Sequence, residues 1–147
     1  VKSHHDQYGF SLIEMIIVLL IISIIGTVAI PKFDAFQKNR KTEYFIAAFQ
    51  KDLLHIQQRA IMDGSTYRLI INNDDHFYEI RGYKTGKPVK KSFPEFITFV
   101  NYSMSLIIQY NQFGNINRAG TLYVHSGNHT YKMVFQIGKG KFYVSKQ

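Results

Sequence analysis

The chain has 147 residues, a formal net charge of +8, 46% hydrophobic residues, twelve phenylalanines, ten tyrosines and no cysteine. That is one domain's worth of sequence and too apolar for a disordered chain. The missing thiols exclude a disulfide framework and a cysteine-ligated zinc site. From Lys87 onward Lys87, Lys90, Lys91, Arg118, Lys132, Lys139, Lys141 and Lys146 face a single acidic residue, Glu95. Such an excess favours polyanions by steering and counterion release, or is simply a soluble basic face.

Residues 1–9 form a short polar leader ending in Gly9. From Phe10 to Ile30 the sequence is apolar except for Ser11, Glu14, Ser23, Gly26 and Thr27. A helix needs ~20 residues to cross ~30 Å of hydrocarbon, so residues 10–31 read as a transmembrane segment. The run is too long for a secretory signal peptide, whose apolar part is ~7–15 residues. Ser23 and Thr27 cost little there because each can bond to a carbonyl one turn earlier. Glu14 is different. A charge in hydrocarbon costs roughly 2.5–3.5 kcal/mol on insertion scales, so it has a use if it is kept there. Pro31 lacks an amide hydrogen and crowds the preceding turn, so it predicts a kink or a local break.

The helix continues as an amphipathic segment over 32–63. Phe45, Phe49, Leu53, Ile56 and Ala60 recur at three–four spacing and make one core-facing stripe. Asp63-Gly64-Ser65 is the stop signal. From Thr66 the period changes to that of strands. Strands are predicted over Tyr67–Ile71, His76–Arg81, Phe96–Val100, Leu106–Tyr110, Thr121–His125, Tyr131–Ile137 and Lys141–Val144. Gly82–Lys91 reads as a loop, and Gly127-Asn128 and Gly138-Lys139-Gly140 as hairpin turns. One long helix followed by antiparallel strands over 66–145 defines an α+β soluble domain, 32–147.

Little here points to catalysis. Asp74-Asp75-His76 has the composition of a tight turn. His125 and His129 flank a hairpin turn, and without a carboxylate or thiol partner they make a poor metal site, so no metal and no cofactor are expected. No Gly-rich phosphate loop is present, so an energy source would have to be another protein. The basic residues are the stronger lead. Arg118, Lys132, Lys139 and Lys141, interleaved with Tyr131, Phe142 and Tyr143, fit sequence-neutral contact with DNA. The alternative is a lysine-rich hairpin that keeps an edge strand soluble.

Gly9-Phe10-Ser11-Leu12-Ile13-Glu14, preceded by the leader and followed by the span and Pro31, resembles the type III signal sequence of type IV pilins and pseudopilins. The resemblance implies cleavage between Gly9 and Phe10 by a prepilin peptidase on the cytoplasmic side, with N-methylation of Phe10. It gives Phe10, Glu14 and Pro31 roles in assembly. The Phe10 amine and the Glu14 carboxylate would neutralise each other between neighbouring subunits, and Pro31 would let the helix stretch. Tyr110-Asn111-Gln112-Phe113-Gly114, Arg118-Ala119-Gly120-Thr121 and Gly138-Lys139-Gly140-Lys141 resemble the C-terminal part of minor pseudopilins of the GspH and FimT type. With Gln57-Gln58-Arg59-Ala60, their order is most similar to competence pseudopilins of the ComGD type. The implied partners are other major and minor pseudopilins, the peptidase, an assembly platform with its ATPase, the membrane and DNA. The implied location is the cell membrane, N-terminus in the cytoplasm, and the cell surface after assembly. A DNA receptor within the pilus and a type II-secretion-like pseudopilin for protein export are the alternative roles. Some FimT-type proteins bind DNA through a Gly-Arg-x-Arg segment, and Gly138-Lys139-Gly140-Lys141 keeps its spacing but not its arginines, losing their bidentate fork.

Overall fold

The computed structural model describes residues 10–82, 86–127, 129–138 and 140–147, with the side chains of 28–33 outside the description. Compact contacts divide the chain into Val1–Gln37 and Lys38–Gln147.

Helix α1 runs from Leu12 to Met62. Ser11 caps its start, its hydroxyl accepting the Glu14 amide at 3.3 Å, in the Ser-x-x-Glu pattern of a capping box. Over residues 12–25 of the first unit the helix carries large apolar side chains on every side. The large side chains Leu12, Ile13, Met15 to Ile22, Ile24 and Ile25 are all exposed. The Ser23 and Thr27 hydroxyls donate to the carbonyls of Leu19 and Ser23, at 2.8 and 2.9 Å. Their polar groups are thereby closed off within the helix, as their position suggested.

The second unit begins where the helix becomes one-sided. Phe45, Phe49, Leu53, Ile56 and Ala60 are all buried in the core, with Ile46 beside them. The helix is capped beyond Met62 by Gly64, whose φ of +56° suits a residue without a Cβ. The Ser65 amide reaches back to the Ala60 carbonyl at 3.1 Å and the Gly64 amide to that of Ile61 at 3.2 Å, the pattern of a Schellman cap.

The strands are β1 (Tyr67–Asn72), β2 (Phe77–Gly82), β3 (Val89–Ser92), β4 (Ile97–Asn101), β5 (Ile107–Tyr110), β6 (Gly120–Ser126), β7 (His129–Phe135) and β8 (Phe142–Lys146). They form not one sheet but two, each four-stranded: sheet A in the order β3-β2-β1-β5 and sheet B in the order β4-β6-β7-β8. All pairings are antiparallel. The α+β class expected from the sequence holds, and the segment expected to be a loop contains β3. That strand is exposed along its whole length.

The helix stripe serves both sheets. The Phe49 ring lies 5.2 Å from that of Tyr78 on β2 and 5.1 Å from that of Phe99 on β4. Phe45 reaches Phe93 at 5.6 Å and Phe99 at 5.9 Å. Polar ties sit at the margins of this core. Asp52 accepts bonds from the Tyr78 hydroxyl at 2.5 Å and from the Lys91 ammonium at 2.7 and 2.8 Å. Burial and the Asp52 carboxylate push the Tyr78 hydroxyl's pKa well above its ordinary value. Thr42 and Ser126 join helix to sheet B by a buried hydroxyl pair. Asn73, in the β1–β2 turn, pairs with both backbone groups of Phe99, its amide donating at 2.8 Å and its carbonyl accepting at 3.0 Å. This side chain substitutes for a neighbouring strand on the free edge of β4 and ties sheet A to sheet B.

Candidate functional site

Gly9, one half of the expected processing pair, lies outside the described residues. Phe10 is 76% exposed, and Glu14 is exposed on the first turn of α1. A carboxylate there suits the positive end of the helix dipole as well as a partner amine. The Glu14 carboxylate therefore has a favourable place at the helix start apart from the assembly role. The backbone of α1 continues through Pro31, so the expected break does not end the element. The Pro31 side chain is outside the description. Among the described residues no helix is long and apolar enough to cross a membrane. The fully described apolar stretch stops at Thr27, short of the ~20 residues a span needs; the run itself continues through Ile30.

Of the four basic residues read as a DNA contact, the three described ones, Arg118, Lys132 and Lys141, do not form one cluster. Lys132 is on β7, opposite Tyr123 on β6 and Ser145 on β8. It is on the face of sheet B that turns away from the core, since Tyr131 and Met133 beside it are buried. Aromatic side chains share that face. Tyr123 stacks on His125 at 6.4 Å and meets Tyr102 edge-on at 5.5 Å. Lys141 is exposed ahead of β8, bordering a depression with Gln50, Leu54 and Gln57 of the helix. Arg118 belongs elsewhere, in a depression beside β5 with Ser105, Ile107, Gln109 and Asn117. Lys139 lies outside the described residues. Lys91 and Lys146, also counted in the basic half, are in ion pairs with the helix, with Asp52 at 2.7 Å and Glu43 at 3.9 Å.

The glycines of the last hairpin have a packing role that the sequence did not disclose. Gly140 has φ of +55°. A Cβ there would sit 2.2 Å from the Gly114 carbonyl oxygen and 2.4 Å from the Gln57 amide nitrogen. That amide donates to the same Gly114 carbonyl at 2.8 Å. Gln57, Gly114 and Gly140, from three motifs far apart in the chain, thus meet at one seam. Gly140→Ala should lower stability by on the order of 3 kcal/mol, from steric overlap and the left-handed backbone together. Gly138→Ala, where a Cβ meets open space, should cost about 1–2 kcal/mol. Thermal unfolding of the two variants compares them directly.

The histidines stay apart. In the β6–β7 register His125 pairs with Thr130 and His129 with Ser126, so the two imidazoles emerge on opposite faces. The His125 Nδ1 is 2.8 Å from the Thr130 hydroxyl. Asp75 is in a turn closed by Asn72, with bonds of 2.9 and 3.1 Å. Among the described residues no group of three or more His, Asp and Glu could hold a metal ion.

Residues 4–30 match the prokaryotic N-terminal methylation motif. No curated protein matches the chain significantly. The fold is similar to that of the minor pseudopilin EpsH from the Type 2 Secretion System of Vibrio cholerae. The TM-score is 0.53 at 13% identity, over 70% of this chain and 94% of that one. In its N-terminal motif and its fold the chain is thus similar to type IV pilin-like proteins. It joins an N-terminal methylation motif to the fold of a minor pseudopilin, and what it resembles is a structural subunit rather than an enzyme.

Proposed function

We propose that the protein is a minor pseudopilin of the ComGD type, a subunit of a competence pilus that brings DNA to the cell surface. The observation that carries the reading is the first half of α1. A helix apolar on every side is stable only in a bilayer or among other apolar helices, and a pilin subunit passes from one to the other. In this reading a prepilin peptidase cuts between Gly9 and Phe10, and Phe10 is methylated. The segment 10–31 anchors the subunit in the membrane with its N-terminus in the cytoplasm. The Phe10 amine then pairs with Glu14 of a neighbouring subunit as the helix enters the filament. Pro31 gives that half of the helix local freedom. An assembly platform and its ATPase supply the work. The domain from Lys32 onward ends up at the cell surface.

The experiment is transformation frequency in a deletion strain, complemented with the wild-type protein or with Gly9→Val, which blocks cleavage. Loss of uptake on deletion, restored by the wild type alone, is the expected result. Uptake untouched by deletion removes the competence role. The likeness to a type II secretion pseudopilin favours a second reading, protein export, and a defect in a secreted protein in the same strain would identify it.

A further inference from the structure

We propose that the outer face of sheet A binds the phosphodiester backbone of duplex nucleic acid through a row of arginines, Arg81, Arg68 and Arg118. Arg68 on β1 lies directly opposite Arg81 on β2 and, on its other side, opposite Gln109 on β5. Their chain neighbours Tyr67, Leu69, Ile108 and Tyr110 are buried in the core, so these side chains point away from it. Two shallow depressions cross this face and share Gln109. One has Thr66, Arg68 and Arg81 on its rim, the other Asn117 and Arg118. The Asn117 amide donates to the Gln109 carbonyl at 2.9 Å, which brings the Arg118 segment alongside β5.

The row is built in a way that core stability does not require. Like charges directly opposite each other on neighbouring strands destabilise a sheet. Here two guanidinium groups are so placed, and each is oriented by a neighbour. Arg68 donates from Nε to the Gln109 side-chain oxygen at 2.8 Å. Arg81 donates to both oxygens of Glu79, at 2.6 and 3.2 Å. The remaining N–H groups of both are available in fixed planes, the geometry that suits phosphate oxygens. The charges on this face are Arg68, Arg81, Arg118 and Lys90 against Glu79 alone among the described residues. The one aromatic ring on β2's outward side, Phe77, is covered by the Lys90 ammonium at 4.5 Å. Among the described residues no platform for base stacking is offered, so the face suits a duplex backbone rather than the bases of a single strand. With strands ~4.8 Å apart the row extends ~14 Å.

This site is separate from Lys132 and Lys141 near sheet B, and it does not depend on the filament reading. The test uses the full chain in detergent and a fluorescein-labelled duplex of random sequence, with anisotropy recorded from about 50 to 200 mM salt. Arg68→Gln with Arg118→Gln, which leaves the Arg81–Glu79 pair intact, should reduce the slope of log affinity against log salt by about 2. It should weaken binding about ten-fold or more, with the melting temperature unchanged. Adding Arg81→Gln should deepen the loss. Lys132→Gln with Lys141→Gln should leave the slope in place. The assignment falls if the wild type shows no salt-dependent binding, or if the arginine variant keeps the wild-type slope. Transfer of the effect to the lysine variant would place the contact on sheet B instead. Stronger competition by poly-L-glutamate than by unlabelled duplex would make the partner an acidic protein.

Discussion

Glu14→Val should leave cleavage after Gly9 intact and reduce incorporation into filaments to near zero. Breaking a buried ion pair by removing one partner costs about 3–5 kcal/mol, because the other charge stays buried and unpaired. Over an assembly step that is a factor of roughly 10² to several thousand in affinity. Valine also changes the shape and polarity of the side chain in the first helical turn, so a second substitution is needed to separate charge from shape. Glu14→Gln keeps a residue able to complete a capping box and removes the charge alone. Quantifying the processed protein and its share in sheared filaments reads both steps. If Glu14→Gln assembles like the wild type, the charge has no assembly role.

The largest effect on folding is expected from Phe49→Ala. Phe49 is fully buried and touches the rings of Phe45, Tyr78 and Phe99, so it binds the helix to both sheets at once. Truncating a buried phenylalanine costs about 3–5 kcal/mol, against a total stability of about 5–15 kcal/mol for a typical domain. The variant should melt ten or more degrees lower by circular dichroism, on the usual scaling of ~4–8 °C per kcal/mol for a small domain. Phe113→Ala, at an exposed ring in the β5–β6 connection, should change the midpoint little. Equal effects would mean that the aromatic cluster around Phe49 does not hold the two sheets to the helix.

The helix was legible because its signals are local. A three–four stripe from Phe45 to Ala60 and a glycine stop at Gly64 lie within a few residues of the groups they organise, and all of them appear as read. Strand β3 was not legible. Val89-Lys90-Lys91-Ser92 is an edge strand with no buried face, so it lacks the apolar alternation by which strands are recognised, and its lysines and Pro88 imitate a loop. The division into two sheets was hidden for another reason. β1 pairs with β5 and β4 with β6, choices made by packing between distant segments. The site divides in the same way. The Gly9–Glu14 block is contiguous and could be read directly. The arginine row is assembled from positions 68, 81 and 118, which meet only through strand register. Lys91 looked like one more free cation until the fold placed Asp52 beside it.

The seam at Gly140 joins nearly the last residues of the chain to the middle of its helix, and Lys146 reaches back to Glu43. Contacts of such long sequence separation form late. If the part of the chain that follows the anchor crosses the membrane in chain order, the Phe45–Ala60 stripe appears early and has no complete cover until β8 arrives. During export this domain is therefore a sticky, half-roofed intermediate, and its safety depends on how quickly the final hairpin follows. A premature stop that removes only the last ten residues would forfeit closure of the whole domain, not merely its last strand.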